Sequence, residues 1–210
     1  QVGLILADYV AQKVKSGTIA NSVVSANIGT VAEYYKLSYE QTLTGFKWIS
    51  KVPNLTYGYE EALGYCVDPS HTPDKDGITS ALLIAELAAD LKAEGKSLLD
   101  RLNELSEKFG KISTGQVSIR VQDLAVIEKI MQKVRMNPPK AFDGDLEFID
   151  LATSETLRTD AVIIENKKVR MIFRPSGTEP KLKCYLQYNG SEADLSRLKD
   201  FASSYLAASQ

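Results

Sequence analysis

The first half of the chain alternates between helical and strand-like patterns of apolar residues. Six apolar side chains between residues 3 and 14 fall on one helical face, and Ser16-Gly17 ends that pattern. The longest helical pattern starts after Asp76, a good N-cap residue, and stops at Gly95. The remaining elements are predicted as a strand at 19–28, a helix from Thr30 to about Lys36, an extended segment at 39–42, a short helix at 45–49, a strand at 55–59 and a helix from Ser97 to about Lys108. This alternation predicts an α/β domain with a mostly parallel sheet.

Beyond Gly110 the pattern becomes that of an α+β unit. Residues 117 to 121 alternate as in a half-buried strand, and Asn137-Pro138-Pro139 interrupts the chain after a helical pattern. Residues 165 to 168 separate two apolar runs, which is typical of a β-hairpin. The predicted elements are a helix at 123–135, hairpin strands at 162–164 and 169–173, a strand at 183–188 and a closing helix at 191–206. We therefore predict two domains, an α/β domain at 1–109 and a smaller α+β domain at 110–210.

Charge is distributed differently over the two predicted domains. Residues 1–109 hold 10 Lys and Arg against 14 Asp and Glu, whereas residues 110–210 hold 15 against 13. The formal net charge of the whole chain is -2, which provides no broad positive field for a nucleic acid or an anionic membrane. Any bound anion must therefore be held by a local site.

The remaining composition indicates a globular protein of a reducing compartment. The 44% hydrophobic content is enough for buried cores, and the longest apolar run at the start, residues 2 to 7, is too short to cross a membrane. The two cysteines, Cys66 and Cys184, lie far apart and outside any metal-binding motif, which favours the cytoplasm. Because the chain begins at Gln1 within a helical pattern, we expect it to be a fragment of a longer protein.

The strongest chemical signal is the loop Arg174-Pro175-Ser176-Gly177-Thr178-Glu179-Pro180. The two prolines stiffen it, and Gly177 allows successive backbone N–H groups to turn toward one anion. Ser176 and Thr178 add hydroxyl donors, and the planar guanidinium of Arg174 matches a phosphate with two hydrogen bonds. These residue types describe a phosphate clamp without a catalytic base, and they fit a proline-bounded surface turn equally well.

Two adjacent carboxylates follow the strand predicted at 55–59. Neighbouring residues of an extended chain face opposite ways, so Glu60 and Glu61 are not expected to work as a paired acid and base. One of them can accept hydrogen bonds from neighbouring sugar hydroxyls. Two solvated loop glutamates are the simpler interpretation of the same residues.

Four further features bear on the chemistry of this chain. Lys47 stands at a predicted helix start, where a cation opposes the helix dipole, so its position suggests an anionic partner. Trp48 is predicted to lie in the core, and His71, the only histidine, on the surface. Residues 74 to 77 resemble the start of a calcium loop, but the remaining ligand positions are apolar, which excludes one.

Four segments, in this order, resemble the C-terminal half of the α-D-phosphohexomutase superfamily, which contains the phosphoglucomutases and phosphomannomutases. They are Thr44-Gly45-Phe46-Lys47-Trp48-Ile49, Glu60-Glu61-Ala62-Leu63-Gly64-Tyr65, Asp74-Lys75-Asp76-Gly77 and the loop from Arg174 to Pro180. The resemblance covers nearly the whole chain and favours the phosphate clamp over the surface turn. It implies domains 3 and 4 of a cytoplasmic four-domain enzyme, in agreement with the boundary near residue 110.

The resemblance also implies roles for individual residues. Glu60, with Glu61 beside it, would bind sugar hydroxyls, and Lys47 would contact the substrate near the reacting groups as a candidate for proton transfer. The phosphate that is not transferred would be held by Arg174, Ser176, Gly177 and Thr178. Ala62 replaces a serine found in many hexose-specific members, and Phe46 replaces a histidine found in some, so the sugar stays open between a hexose and a pentose.

The family's catalytic sequences are missing from this chain. Members transfer phosphate from a phosphoserine in a Thr-Ala-Ser-His-Asn type loop and hold Mg²⁺ in an Asp-Gly-Asp-Gly-Asp type loop, and neither sequence occurs in these 210 residues. The resemblance therefore implies the substrate-binding half of a mutase that interconverts sugar 1- and 6-phosphates through a bisphosphate, with domains 1 and 2 supplying the nucleophile and the metal site. A phosphopentomutase and a non-catalytic phosphosugar-binding module are the alternatives. We expect no mutase activity from this chain alone, no metal-binding residue within it and, apart from Lys47 as a possible proton-transfer contact, no catalytic residue.

Overall fold

The computed structural model describes residues 1–177 and 179–208. Within it the chain divides into two compact units, Gln1–Gly110 and Lys111–Gln210, called unit 1 and unit 2 below. No helix among the described residues is long and apolar enough to cross a lipid bilayer. Each unit carries one cysteine, Cys66 in unit 1 and Cys184 in unit 2, and both thiols are buried and unpaired.

Unit 1 is an α/β layer built on a four-stranded sheet. Its elements are α1 (Val2–Lys13), β1 (Thr18–Ser22), α2 (Gly29–Tyr34), β2 (Ser38–Thr42), α3 (Phe46–Ile49), β3 (Leu55–Glu60), β4 (Gly64–Cys66), α4 (Gly77–Ala93) and α5 (Leu98–Phe109). The strand order is β2-β1-β3-β4, with β1 parallel to both neighbours and β4 antiparallel to β3. The predicted mostly parallel sheet is confirmed. Because β1, β2 and β3 are parallel, the loops that follow them meet at one edge of the sheet, where α/β proteins bind ligands.

A buried carboxylate ties α1 and α5 to the residue that follows α2. The side chain of Asp8 in α1 is only 1% exposed, and its Oδ1 accepts a hydrogen bond of 2.9 Å from the Tyr35 hydroxyl. The same carboxylate is paired with the guanidinium of Arg101 and, at 3.3 Å, with the ammonium of Lys108, both in α5. A buried charge of this kind is tolerated because it is both paired and hydrogen-bonded.

Local capping chemistry sets the helix starts, as predicted for α4. The Asp76 carboxylate accepts hydrogen bonds from the backbone N–H groups of Ile78 and Thr79, at 2.9 and 3.2 Å. Ser97 begins α5 with a reciprocal capping box in which Asp100 returns the contact. Thr30, where the second helix was predicted to start, lies inside α2, and the N-cap residue of α2 is Ile28.

The strand predicted at 19–28 was too long. The observed strand β1 ends at Ser22, and the two valines that follow it are buried in a turn. Apolar composition alone does not distinguish a buried turn from a buried strand, which explains the error. The short antiparallel strand β4 was not predicted either.

Unit 2 is an α+β unit, as predicted. Its elements are β5 (Ser113–Arg120), α6 (Leu124–Met136), β6 (Glu147–Asp150), a 3₁₀ helix (Leu151–Thr153), β7 (Val162–Glu165), β8 (Val169–Pro175), β9 (Lys181–Tyr188) and α7 (Glu192–Ala207). The sheet order is β5-β9-β8-β7-β6, and every neighbouring pair is antiparallel. The predicted hairpin is the β7–β8 connection, in which Asn166 N–H donates to the Val169 carbonyl at 2.9 Å.

Strand alternation in unit 2 separates its apolar core from its cationic positions. Phe173 of β8 and its β9 partner Cys184 are fully buried in the core with residues of α6 and α7. The next pair along the same strands, Arg174 and Lys183, must point to the opposite face of the sheet because successive side chains alternate. The core packing therefore determines which face carries these cations.

Candidate functional site

Glu60 is the last residue of β3, and its carboxylate is held by the loop that follows β2. Its Oε1 accepts a hydrogen bond of 2.7 Å from the backbone N–H of Gly45. Gly45 has φ +115°, a conformation that favours glycine, and Gly64 lies close by on β4. A Cβ on Gly64 would stand 2.6 Å from the Phe46 ring and 3.4 Å from Glu60 Oε2. The position of the carboxylate therefore depends on glycine at both places.

Glu61 points to a different neighbour, the loop that follows β1. Its Oε2 accepts a hydrogen bond of 2.7 Å from the Ser25 hydroxyl, and its own backbone N–H donates to Ser25 Oγ at 3.1 Å. The adjacent carboxylates thus diverge, as predicted, although Glu61 already lies in the turn that follows β3 and not in the extended strand. Both glutamates are half-buried and hydrogen-bonded, so the interpretation of two solvated loop glutamates was wrong. Residues 60–63 are called the Glu60 turn below.

Lys47 and Trp48 lie in the short helix α3. Lys47 is exposed, and its ammonium stands 5.5 Å from the centroid of the Trp48 ring. Trp48 is 42% exposed, so its predicted core position was wrong. The inward positions of this four-residue helix are taken by Phe46 and Ile49, which are 4% and 0% exposed, and no further inward position remains for the indole.

The segment of residues 74 to 77 lies near the ring of Phe46. The Asp76 N–H donates to the Tyr65 carbonyl at 2.8 Å, which fastens the segment to β4. The Lys75 ammonium then stands 5.5 Å from the centroid of the Phe46 ring. Lys75 is thus a second cation of this site. Its segment, residues 74 to 77, was named from the sequence, but no role was predicted for Lys75 itself.

The loop of residues 174 to 180, called the Arg174 loop below, connects β8 and β9. Arg174 is directly opposite Lys183 in the strand register, and the Ser176 N–H donates to the Lys181 carbonyl at 2.8 Å. Within residues 1–177 and 179–208, the side chains of Arg174 and Lys183 have no hydrogen-bonded or ion-paired partner. Like charges directly opposite on a sheet repel each other, and an anion between them removes the repulsion. Thr178, a predicted phosphate contact, lies outside the described residues.

Two other cations near this loop are already paired. Glu179 forms ion pairs with Lys181 and, at 3.0 Å, with Arg120. The hydrogen bond from Lys181 is the main reason that the pKa of Glu179 lies below its usual value. The charge left for an external anion is therefore that of Arg174 and Lys183. Alternate positions 181 and 183 indicated a common face for the two lysines, but the strand pairing was needed to place Lys183 beside Arg174.

The described residues do not offer a magnesium site. Over the part of the chain that the structure describes, no three His, Cys, Asp or Glu side chains lie close enough together to hold a metal ion. His71, predicted at the surface, has a side chain that is 83% exposed. Asp68 Oδ2 lies 2.7 Å from its Nδ1, and Ser70 Oγ lies 3.1 Å from the same nitrogen. A Ser-His-Asp relay uses both ring nitrogens, so this group is not one.

Two family models cover most of the chain. Domain III of phosphoglucomutase/phosphomannomutase, an alpha/beta/alpha domain, matches residues 1–109, and the C-terminal domain of the same proteins matches residues 117–203. The two matches follow the order of domains that the four sequence segments implied.

Curated relatives carry the corresponding names. A probable phosphomannomutase from Haemophilus influenzae is 43% identical over 91% of this chain, and a phosphoglucomutase from Staphylococcus aureus is 30% identical over 92%. In each case the chain spans about 40% of the length of the relative.

Solved structures share the fold at low sequence identity. A phosphoglucomutase/phosphomannomutase family protein from Burkholderia thailandensis matches 99% of this chain and 41% of its own, with a TM-score of 0.67 and 17% identity. An N-acetylphosphoglucosamine mutase from Aspergillus fumigatus, in complex with glucose 1,6-bisphosphate, matches the whole chain and 43% of its own, with a TM-score of 0.51 and 15% identity. With both domain models and these relatives in agreement, the chain belongs to the phosphoglucomutase/phosphomannomutase family.

Proposed function

We propose that this chain is the substrate-binding half of a phosphosugar mutase. The observation that carries the proposal is the pair Arg174 and Lys183, two cations directly opposite each other beside a Ser-Gly loop, neither with an ion-pair partner among the described residues. Such a pair binds the phosphate that is not being transferred, because a bidentate guanidinium and a second cation both gain charge-assisted hydrogen bonds. The hydroxyl of Ser176 and the backbone at Gly177 are further donors in this role, together with Thr178.

In unit 1 the proposed ligand is the sugar. The Gly45 N–H holds Oε1 of Glu60, which gives the carboxylate a defined direction toward the sugar hydroxyls that it is proposed to bind. The exposed Lys47 provides positive charge next to the Glu60 turn, where the reacting phosphate of the sugar would be bound. Lys75 is a weaker candidate, because its ammonium is paired with Asp74 at 3.4 Å. Lys47 is also the candidate for a proton-transfer contact. Glu61 belongs to the same turn but is engaged by Ser25.

In the complete protein we propose that this binding serves phosphate transfer between C1 and C6 of a hexose through a bisphosphate intermediate. The nucleophilic phosphoserine, the Mg²⁺ ligands and the response to a sugar bisphosphate activator would come from the part of the relatives' length that this chain does not span. The names of the curated relatives favour a hexose over the pentose alternative. A cytoplasmic location is in keeping with two buried, unpaired thiols.

The experiment has a binding arm and a turnover arm. Isothermal titration of this chain with glucose 1,6-bisphosphate, glucose 6-phosphate and ribose 5-phosphate is expected to show weak binding that favours the hexose phosphates. A coupled assay with glucose 1-phosphate, bisphosphate activator and magnesium is expected to show no turnover, because anchoring a phosphosugar does not break a phosphate ester. Turnover above a no-protein control would contradict the fragment interpretation, and absence of any phosphosugar binding would contradict the proposed function.

A further inference from the structure

Ser25 is a buried serine at the carboxyl edge of the unit 1 sheet. It is 2% exposed, and its backbone N–H donates to the Ser22 carbonyl at 2.9 Å, so its own turn holds it in place. Its hydroxyl both donates to Glu61 Oε2, at 2.7 Å, and accepts from the Glu61 backbone N–H, at 3.1 Å. The side chain of this one residue therefore fixes both the main chain and the carboxylate of Glu61.

These contacts also restrict Glu60, the neighbour of Glu61. Ser25 Oγ accepts its hydrogen bond from the N–H of the peptide that joins Glu60 to Glu61, so Ser25 holds that peptide directly. On the other side, the Glu60 carboxylate is held by the N–H of Gly45 at 2.7 Å. The Glu60 turn is thus attached to two different loops, one that follows β1 and one that follows β2.

We infer that Ser25 is a positioning residue that acts through Glu61 to direct the Glu60 carboxylate at the sugar. The inference rests on the sugar-binding role proposed for Glu60. Glu61 then orients the turn, because Ser25 Oγ both donates to its Oε2 and accepts from its backbone N–H. Small errors in the direction of a hydrogen-bonding carboxylate reduce binding sharply, so a carboxylate in a binding site needs neighbouring residues that fix its orientation.

If Ser25 positions Glu60, its loss has a spectroscopic signature that a general loss of stability does not have. The amide proton of Gly45 reports directly on its hydrogen bond to Glu60. In ¹⁵N-labelled chain, Ser25→Ala is expected to move the Gly45 amide resonance upfield, since the bond to Glu60 weakens when the turn is released. Ser70→Ala, which alters an exposed serine on the loop of residues 68–72, is the matched control and should leave that resonance in place.

Variants of Glu61 test the same contact from its other side. Glu61→Ala removes the carboxylate acceptor but keeps the backbone N–H that donates to Ser25, so it should move the Gly45 resonance in the same direction as Ser25→Ala by a smaller amount. Glu61→Gln keeps an acceptor oxygen and should stay close to the wild type. The double variant Ser25→Ala with Glu61→Ala should shift Gly45 no further than Ser25→Ala alone, because Ser25→Ala already removes both hydrogen bonds between the two residues. An unchanged Gly45 resonance in both Ser25→Ala and Glu61→Ala, or additive shifts in the double variant, would overturn the inference.

Titration separates this role from the phosphate site. Ser25→Ala is expected to weaken binding of glucose 1,6-bisphosphate by about five- to tenfold, the scale of one lost hydrogen bond, and to leave binding of inorganic phosphate unchanged. Equal losses for both ligands would mean a general structural defect and would overturn the positioning role. If the wild-type chain binds inorganic phosphate but no phosphosugar, the proposed function fails, while the Gly45 resonance still decides whether Ser25 positions Glu60.

Discussion

The Glu60 turn of unit 1 and the Arg174 loop of unit 2 are held in opposite ways. The carboxylates of Glu60 and Glu61 are each engaged by a donor from another loop, at 2.7 Å in both cases. The guanidinium of Arg174, among the described residues, has no such partner and instead faces a second cation across the strands. One site is built from internal hydrogen bonds, and the other keeps its charge available.

This difference follows from what each site is proposed to recognise. A sugar hydroxyl is neutral and directional, so a carboxylate that selects among hydroxyls needs a fixed orientation before the ligand arrives. A phosphate carries about two charges and several equivalent oxygens, so a cation finds an acceptor from many directions. We therefore expect Arg174 to contribute mainly affinity and Glu60 mainly selectivity.

The largest expected effect is that of Arg174→Ala on phosphosugar binding. Loss of two charge-assisted hydrogen bonds should cost about 2–3 kcal/mol, or about 30- to 150-fold in Kd, as measured by isothermal titration with glucose 1,6-bisphosphate. Arg158→Ala removes an exposed arginine from another segment of the same unit and is the control for net charge. Equal affinities of the wild type and Arg174→Ala would exclude the clamp.

A smaller effect is expected at the Glu60 turn. Glu60→Gln keeps the shape and one acceptor for Gly45 but weakens the acceptor for hydroxyls, so the affinity for glucose 6-phosphate should fall by about 1 kcal/mol, roughly fivefold. Glu61→Gln should have less effect, because an amide oxygen still accepts from Ser25. In the complete enzyme the same order should hold for kcat/KM. If the order is reversed, Glu61 and not Glu60 faces the sugar.

The fold was largely predictable because its signals are local. The N-cap Asp76, the hairpin at residues 165–168 and the amphipathic helices of unit 2 each depend on a few neighbouring residues. The end of β1 was not predictable, because Val23 and Val24 are buried by tertiary packing in a turn. Nor was β4, whose three residues form a strand only through their pairing with β3.

The candidate site was predictable only where a motif carried it. Arg174 and Glu60 stand in segments with recognisable residue types. Lys183 joins Arg174 through a strand register that brings distant segments together, and such a register has no local signal. Ser25 had none either, since a single serine in an apolar stretch says nothing about its partner. The prediction that Trp48 lies in the core was wrong because composition does not tell whether Phe46 or Trp48 points inward.

Ionic strength further distinguishes binding at the Arg174 loop from binding at the Glu60 turn. Raising it from about 0.1 M to about 1 M shortens the Debye length from about 10 Å to about 3 Å. The penalty of Arg174→Ala should shrink by about 0.5–1 kcal/mol, since it depends on charge attraction in a partly exposed loop. The penalty of Glu60→Gln should stay constant, because hydrogen bonds to neutral hydroxyls act only at contact. Equal shrinkage in the two variants would remove the distinction between affinity and selectivity.

The smallest effect concerns the base of the unit 1 site, where Asp76 begins α4 next to β4. Hydrogen bonds from the hydroxyl and N–H of Thr79 lower the pKa of Asp76 below its ordinary value of 3.8. Because the folded-state pKa is the lower one, the ionised carboxylate stabilises unit 1 at pH values above the ordinary pKa, and this contribution is lost as the pH falls through the folded-state pKa. Asp76→Ala should therefore lower the urea midpoint near neutral pH, and the difference from the wild type should shrink in strong acid. Asp74→Ala is the control and should leave the midpoint in place, because among the described residues the Asp74 carboxylate is hydrogen-bonded to the adjacent Lys75 and not to the start of α4. A difference between Asp76→Ala and the wild type that is the same at both pH values would mean that the ionised carboxylate is not what holds this helix start beside the Glu60 turn.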